Sequence, residues 1–406
     1  MRLEELIKQY CPEGVEYVPL WSVTTWDKKF NAVDDYKQPK TYKYHYFFAN
    51  DLKRYVVEGG DIKILTTNIS DLYTTAELVN EYIVDREIVA IPWGGNPIIQ
   101  YYSGKFITSD NRIATSNDTK LLNNKYLYYF MQIKLDVIGS FYRGSGIKHL
   151  DMSKVLDMTI PLPPLPVQQE IVRILDKFTE LTKELTKELT KRKQQYEYYR
   201  NYLLDFNSRG GAIKWITLEE IFDIRNGYTP SKANTEFWSD GSIPWFRMED
   251  IRTNGRILSD AIQHVTLKAV KNNPFSANSI IVSTTATIGE HALITVPFLS
   301  NQRFTCLTLK TEYNDRFNIK FLFYYCYKLD KFCLNNINKG NFASVDMSKF
   351  KKFMFPVLSL SVQQRIVSIL DRFDKLCNDI SNGLPAEINA RKKQLDFYRD
   401  RLLAFN

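Results

Sequence analysis

The residue types that carry enzyme chemistry are present in this chain, but not at the spacings that chemistry needs. Asn273-Pro274-Phe275 echoes the Asn-Pro-Pro-Phe of adenine methyltransferases, yet the second proline is missing and no glycine-rich cofactor loop precedes it; it reads as a turn. No Gly-x4-Gly-Lys-Ser/Thr phosphate loop is found. His45, His149, His264 and His291 are scattered without ligand spacing, and no paired carboxylates with a lysine form a nuclease cluster. Five cysteines, Cys11, Cys306, Cys326, Cys333 and Cys377, are odd in number and lack metal-site spacing. They read as reduced thiols of a cytoplasmic protein. What remains are residues that bind rather than react. Residues 37–48, KQPKTYKYHYFF, interleave basic and aromatic side chains. Such a run either meets phosphates and braces against a nucleic-acid backbone or forms a strand with one aromatic face in a core, the second reading being preferred.

The elements that would position binding residues announce themselves by repetition, which is sought first because missing it mis-assigns the fold. MSKVLDMTIPLPPLPVQQEIVRILDKF, from Met152, is answered by MSKFKKFMFPVLSLSVQQRIVSILDRF, from Met347. Each is followed by a helical run, ending RKQQYEYYRNYLLDF at Phe206 and RKKQLDFYRDRLLAF at Phe405. Ile171, Ile174, Phe178, Leu181 and Leu185 recur at steps of three and four, an apolar seam of coiled-coil type. Inside the first copy, LTKELTKELT places Glu180, Glu184 and Glu188 three residues before Lys183, Lys187 and Lys191, a weak local support for helix. Residues 167–206 would span about 60 Å as one helix, and a helix that long with one stripe needs a partner, the obvious one being the other copy. The second copy differs. Ser361 and Gln364 form a capping box there, and Gly383 and Pro385 should end one helix near Ile380 and start another. It is also four residues longer between the shared Phe and the shared Arg-Lys, so the two cannot pair in register throughout.

Composition bounds the rest. A chain of 406 residues is too long for one ordinary domain and suits two to three. No basic-plus-apolar leader and no apolar run of membrane-spanning length is visible. The net charge is +8. Residues 1–150 carry 18 basic and 18 acidic side chains, whereas 347–406 carry 11 and 6, so much of the excess sits in the last repeat element. Charge alone is no argument for DNA.

Between the helical copies lie two regions with shared landmarks. In 1–150, a short amphipathic helix over 3–10 precedes a strand from Glu16, a buried-type strand over 87–93, the turn Gly94-Gly95-Asn96-Pro97 and a helix over 123–135. In 211–346, a strand spans 279–283, and Thr287-Ile288-Gly289-Glu290 is the turn. Ser300-Asn301-Gln302-Arg303 answers Ser109-Asp110-Asn111-Arg112, and each half ends in a glycine-containing basic loop before Met-Ser-Lys. The chain is a tandem of about 195 residues, domain then helix, twice. Elsewhere the domains diverge: Gly227-Tyr228-Thr229-Pro230-Ser231 and the stretch from Trp238 to Trp245 have no counterpart in the first. Duplicated scaffold with divergent ligand-facing parts suits a two-domain reader of an asymmetric, split target.

At this point the chain resembles the specificity (S) subunits of Type I DNA restriction–modification systems, over nearly its full length. The resemblance rests on the PxPPxxVQQxIVxIL block of the first copy, answered by VQQRIVSIL in the second, on the repeated RKxQxxxYRxxLL blocks, and on GYTPS, FW, GSIPWFRMED, IGE and SNQRF in the second domain. It implies an α/β (α+β) fold: target recognition domains at 1–150 and 211–346, each a small twisted sheet with helices, a central spacer helix at 151–210, and a C-terminal spacer helix at 347–406 broken near 381–385. The spacers would pack antiparallel as a pseudo-twofold coiled coil. Each domain would read one half of a gapped bipartite target in the major groove, and four-residue repeats such as LTKE would help set the gap. The chain itself would be non-catalytic and bind no cofactor. S-adenosylmethionine, ATP and Mg would sit on its partners: two methyltransferase subunits and, through them, restriction subunits, in DNA methylation and host defence.

By family position, contacts to phosphates and base edges are expected from Lys40, Thr41, Tyr42, Lys43, Asn96, Asn111, Arg112, Arg143 and Lys148 in the first domain. In the second they are expected from Asn226, Tyr228, Thr229, Ser231, Lys232, Arg247, Asp250, Gln302, Arg303, Lys339 and Asn341. Partner contacts are expected from Gln168, Gln169, Ile171, Gln363, Gln364 and Ile366. The first domain lacks the GYTPS and IPW blocks. Two alternatives stay open: an orphan S subunit serving a methyltransferase alone, and a coiled-coil scaffold with no DNA role.

Overall fold

The computed structural model describes residues 3–206, 213–338, 343–379 and 381–405. By its contacts the chain divides into two units, Met1–Lys183 with Arg391–Asn406, and Glu184–Ala390.

The strands of the first unit are Tyr17–Pro19 (β1), Thr24–Trp26 (β2), Ile62–Leu65 (β3), Tyr73–Thr74 (β4), Val84–Pro92 (β5), Gln100–Thr108 (β6), Asn111–Ser116 (β7), Tyr142–Arg143 (β8), His149–Leu150 (β9) and Thr159–Pro161 (β10). Six of them form one sheet in the order β2-β7-β5-β6-β3-β4. On β5, Val84 pairs with Phe106 and Pro92 with Asn111. Those two β5 positions lie about 26 Å apart along a strand, yet the chain from Phe106 to Asn111 reaches at most about 17 Å. The sheet must therefore coil sharply on itself. Successive β5 side chains serve two cores. Ile88 and Ala90 join Leu65, Phe106 and Ile113 inside the coil. Val89 and Ile91 face the other way, with Tyr126, Leu127 and Phe130 of the helix Asn124–Ile133 and with Val167, Ile171 and Leu175. Covered on both faces, β7 is buried at all six positions.

The second unit contains Lys214–Thr217 (β11), Phe222–Asn226 (β12), Ile243–Phe246 (β13), Ile257–Leu258 (β14), His264–Val265 (β15), Ser279–Ser283 (β16), His291–Ile294 (β17), Leu299–Ser300 (β18), Phe304–Leu309 (β19), Ile337–Asn338 (β20), Ser344–Val345 (β21) and Met354–Val357 (β22). A sheet β12-β19-β16-β17-β14 packs beside a smaller one, β15-β13-β18. Ile280 and Val282 face the helix Ile319–Asn335, while Ile281 faces an inner core with Trp245, Phe246, Phe298 and Cys306. The alternation on β5 is thus repeated on β16.

The first spacer helix runs unbroken from Leu165 to Leu203, 39 residues. In the first unit its N-terminal half meets the end of the last helix, Leu384–Leu402, with Phe178 stacked on Tyr398 at 5.1 Å. In the second unit its C-terminal half meets Leu360–Asn378, with Tyr199 stacked on Phe373 at 5.5 Å. Phe178 and Phe373 are repeat equivalents, as are Tyr398 and Tyr199, so one contact is built twice. The expected break in the second copy is observed between Asn378 and Leu384. The expected capping box is not. The helix begins at Leu360 with Ser359 as its cap, so Ser361 already lies within the first turn. Residues 37–48 are likewise not a strand. They follow the sheet edge through isolated bridges, Trp26 with Thr41 and Tyr46 with Thr108.

Candidate nucleic-acid interface

Each domain is seated on its spacer helix by one buried glutamine. Gln168 Oε1 accepts from the Asn123 backbone N–H at 2.9 Å, and its Nε2 donates to the carbonyls of Leu121 and Pro163 at 2.8 and 2.7 Å. Gln363 repeats this on Asn318 N–H, Arg316 and Leu358 at 2.8, 2.8 and 2.9 Å. Asn123 and Asn318 in turn cap the following helix. Beyond them, Lys125 and Tyr129 meet Asp176, and Lys320 and Tyr324 meet Asp371. The expectation that Gln168, Ile171, Gln363 and Ile366 contact partner proteins is corrected: all four are buried within the chain's own units. Gln168 sits three and seven residues before Ile171 and Leu175, so helical spacing already placed it on the inward face. Gln169 and Gln364 are exposed, and Gln364 accepts from Asn318 Nδ2 at 2.7 Å.

In the first unit, two expected DNA contacts prove to be core. Arg112 is 1% exposed and pairs with the wholly buried Asp27 at 2.7 Å and with Asp110. Its guanidinium lies over the rings of Trp93 and Tyr46. Asn111 is fully buried and donates to the carbonyls of Leu65 and Thr66. Their strand is covered on both faces, so alternation offered no warning. The remaining expected residues do face outward or half-outward. Lys40 and Arg86 flank the Tyr42 ring at 5.0 and 3.8 Å, and the Lys40 hydrogen bond holds the Tyr42 phenol below its ordinary range. Thr41 bridges to Trp26, and Lys43 is exposed. Asn96 lies exposed in its turn. Arg143 is exposed but paired with Asp151 at 2.7 Å.

Backbone hydrogen bonds draw part of this set together. Trp93 N–H reaches the Asp110 carbonyl, Leu150 N–H the Trp93 carbonyl and Gly95 N–H the Lys148 carbonyl. His149 tilts on Trp93 at 5.4 Å, and Lys28 sits over the same ring. The β5–β6 turn, the Ser109-Asp110 turn and the β8–β9 loop thus converge, with Asn96, Asp110 and Lys148 exposed on them and Lys28, just after β2, exposed beside them. Lys28 and Asp110 were not foreseen, because only the sheet's coiling brings them to this place; nor was Arg86, which lies beside Tyr42.

In the second unit the 226–232 loop lies on the 300–303 loop. Gly227 makes this possible: a Cβ there would fall 2.2 Å from the Asn301 carbonyl oxygen and 2.5 Å from that of Ser300. Tyr228 N–H donates to the Ser300 carbonyl, and Thr229 Oγ1 donates to Gln302 Oε1. Asn226 accepts from Thr305 at 3.1 Å. Asn226, Ser231, Lys232, Gln302 and Arg303 are exposed and Thr229 half-buried. Tyr228 is committed elsewhere, donating to the Ala269 carbonyl and accepting from Lys271 N–H. Asp250 is corrected: fully buried, it caps its own helix through Arg247 N–H and accepts from Ile262 N–H. Arg247 is half-buried and paired with Glu249 at 2.9 Å. Lys339 and Asn341 lie outside the described residues.

Among the described residues, the groups that could carry enzyme chemistry stand apart or lie buried. All five cysteines are buried and unpaired. Burial pushes the thiols of Cys306 and Cys333 up to about 12 and that of Cys326 well above its ordinary value, which suppresses the nucleophilic thiolate. Asn273-Pro274-Phe275 is a loop whose Phe275 is buried against Phe298. The histidines stand apart, His45 on Tyr82, His149 on Trp93, His264 with Asp260 and His291 with Asp330. Among the described residues no group of His, Cys, Asp and Glu is placed to hold a metal. Among them, too, no helix is long and apolar enough to cross a membrane.

A tandem of coiled-sheet domains on repeated helices, with polar loops gathered at one place in each, is the architecture of a sequence-reading subunit. The chain belongs to the Type I restriction modification DNA specificity family, whose domain profile matches residues 33–192 and 213–390. Members of this family are non-catalytic. The specificity subunit of the EcoprrI enzyme of Escherichia coli is 54% identical over 204 residues, 48% of this chain and 51% of that one. That of EcoR124I/EcoR124II, also from Escherichia coli, is 38% identical over 73% of this chain and 75% of its own. A solved Type I S subunit from M. genitalium shares the fold at a TM-score of 0.60, with 14% identity and coverage of 96% and 97%. A chain from a solved type I R-M assembly gives 0.56, with 16% identity and coverage of 97% and 98%.

Proposed function

We propose that this chain reads an asymmetric, gapped DNA target for a Type I restriction–modification complex, one half-site per unit. The observation that supports this best is the contrast between its constant and variable parts. The glutamine anchor, the Asn cap and the Lys–Tyr–Asp cluster are duplicated in detail, while the exposed loops differ in length, charge and hydrogen bonding. A scaffold alone would have no use for two dissimilar polar loop clusters on matched seats. Phosphates would be met by Lys28, Lys40, Lys43, Lys148 and Lys232, and base edges by the shorter polar groups beside them. The exposed residues of the helices, Gln169 among them, offer the surface for methyltransferase subunits. S-adenosylmethionine, ATP and Mg belong to those partners.

The test is genome-wide methylation mapping in the source cell with and without this gene. Loss of one gapped, asymmetric N6-methyladenine motif on deletion is the expected result. An unchanged methylome, in a cell where the chain copurifies with a methyltransferase subunit, would overturn it.

A further inference from the structure

From the strand side, the two loop clusters can be matched through their backbone hydrogen bonds, without reference to sequence similarity. In the first unit, β5 pairs Pro92 with Asn111, and the next N–H, that of Trp93, reaches the Asp110 carbonyl. In the second, β16 pairs Ser283 with Phe304, and the next N–H, that of Thr284, reaches the Arg303 carbonyl. The neighbouring hairpins agree. Leu150 N–H donates to Trp93 and Val345 N–H to Thr284; Gly95 N–H donates to Lys148 and Ala286 N–H to Ala343. Gly94 bridges His149 as Thr285 bridges Ser344. This register makes Asp110 the counterpart of Arg303, and Arg112 the counterpart of Thr305. Similarity of the strings Ser109-Asp110-Asn111-Arg112 and Ser300-Asn301-Gln302-Arg303 matched Arg112 with Arg303, two positions out. The slip arises in the turn itself: Asn111 N–H closes on the Ser109 carbonyl across one residue, whereas Phe304 N–H closes on the Asn301 carbonyl across two, so the second turn carries one residue more.

One site therefore holds a carboxylate in the first unit and a guanidinium in the second. The Asp110 side chain is 58% exposed, and it is braced from below by Arg112, which is 1% exposed and itself clamped by Asp27. The brace engages one carboxylate oxygen, Oδ1, and the other retains its capacity to accept. Arg303 is exposed, its backbone fixed by the Asn301 side chain at 3.1 Å. Beside it the exposed Gln302 accepts from Thr229 Oγ1 at its amide oxygen, and its Nε2 supplies two further donors.

Resting on the DNA-reading function above, we propose that Asp110 and Arg303 are paired specificity-determining residues of opposite sense. Asp110 accepts a hydrogen bond from an exocyclic amino group, that of cytosine or adenine, in the half-site of the first unit. Arg303, with Gln302 donating beside it, reads the acceptor edge of guanine in the half-site of the second. A carboxylate can only accept and a guanidinium can only donate, and in the major groove those demands select these bases.

The experiment uses the chain assembled with its methyltransferase partner. The wild-type motif is mapped first; absence of any gapped motif refutes the underlying DNA-reading function rather than this assignment. Binding is then measured for Asp110→Asn and Arg303→Gln against duplexes substituted singly at every position of both half-sites. Each variant is expected to lose discrimination at one position of its own half-site, from about tenfold to a hundredfold down to near unity, with the other half-site read normally. A uniform loss of affinity across all duplexes, or a wild-type specificity profile, overturns the assignment for that residue. Arg303 is exposed and carries no core contact, so its variant decides the matter even if Asp110→Asn disturbs the Arg112 brace.

Discussion

Gln168 and Gln363 each hold one backbone donor and two carbonyls at the seat of their domain. Replacing either by alanine removes three hydrogen bonds, each worth about 0.5–1.5 kcal/mol net. The expected outcome is faster amide hydrogen exchange at Asn123 for Gln168→Ala and at Asn318 for Gln363→Ala, each confined to its own unit, with the recognised motif unchanged. Arg112 invites a sharper prediction. Arg112→Ala would leave the Asp27 carboxylate buried without its cation, a loss of about 3–5 kcal/mol. Denaturant unfolding should show the first unit's transition moving to lower denaturant while the second unit's stays in place. Were Arg112 a surface phosphate contact, stability would hold and DNA affinity alone would fall.

At the scale of elements, the spacer helix is continuous through LTKELTKELT, and its side chains there are mostly exposed. An added LTKE unit therefore meets little steric resistance. Four residues turn a helix by about 400°, a net rotation near 40°, close to the roughly 34° twist of one base pair at about 10.5 per turn. One extra unit is expected to widen the gap of the target by about one base pair, with both half-sites unchanged. Methylation mapping of the insertion variant checks this, and an unchanged gap removes the helix as the ruler.

At the scale of the whole molecule, each domain's anchors to its spacer lie within its own unit and are the same in both. Exchange of residues 211–346 for those of another family member should preserve those anchors and change one half-site only. A change in both half-sites would mean that the two readers are not modular.

Much of this organisation was legible in the chain alone, for a physical reason: duplication leaves its mark in linear order. The tandem repeat, the unbroken first helix and the break before Leu384 follow from periodicity, glycine and proline. So do the buried strand over Ser279–Ser283 and the lack of catalytic spacing. The base-facing residues were harder, because exposure is set by what lies across a sheet. Asn111, Arg112 and Asp250 look like recognition residues by type and by neighbourhood, yet the coiled sheet and a helix cap bury them. Asp110 and Lys28, not chosen as contacts from linear order, are brought to the surface by that same coiling. The pairing of Asp110 with Arg303 could come only from tertiary structure, since a register is fixed by hydrogen bonds between strands and a two-residue slip leaves local sequence similarity intact.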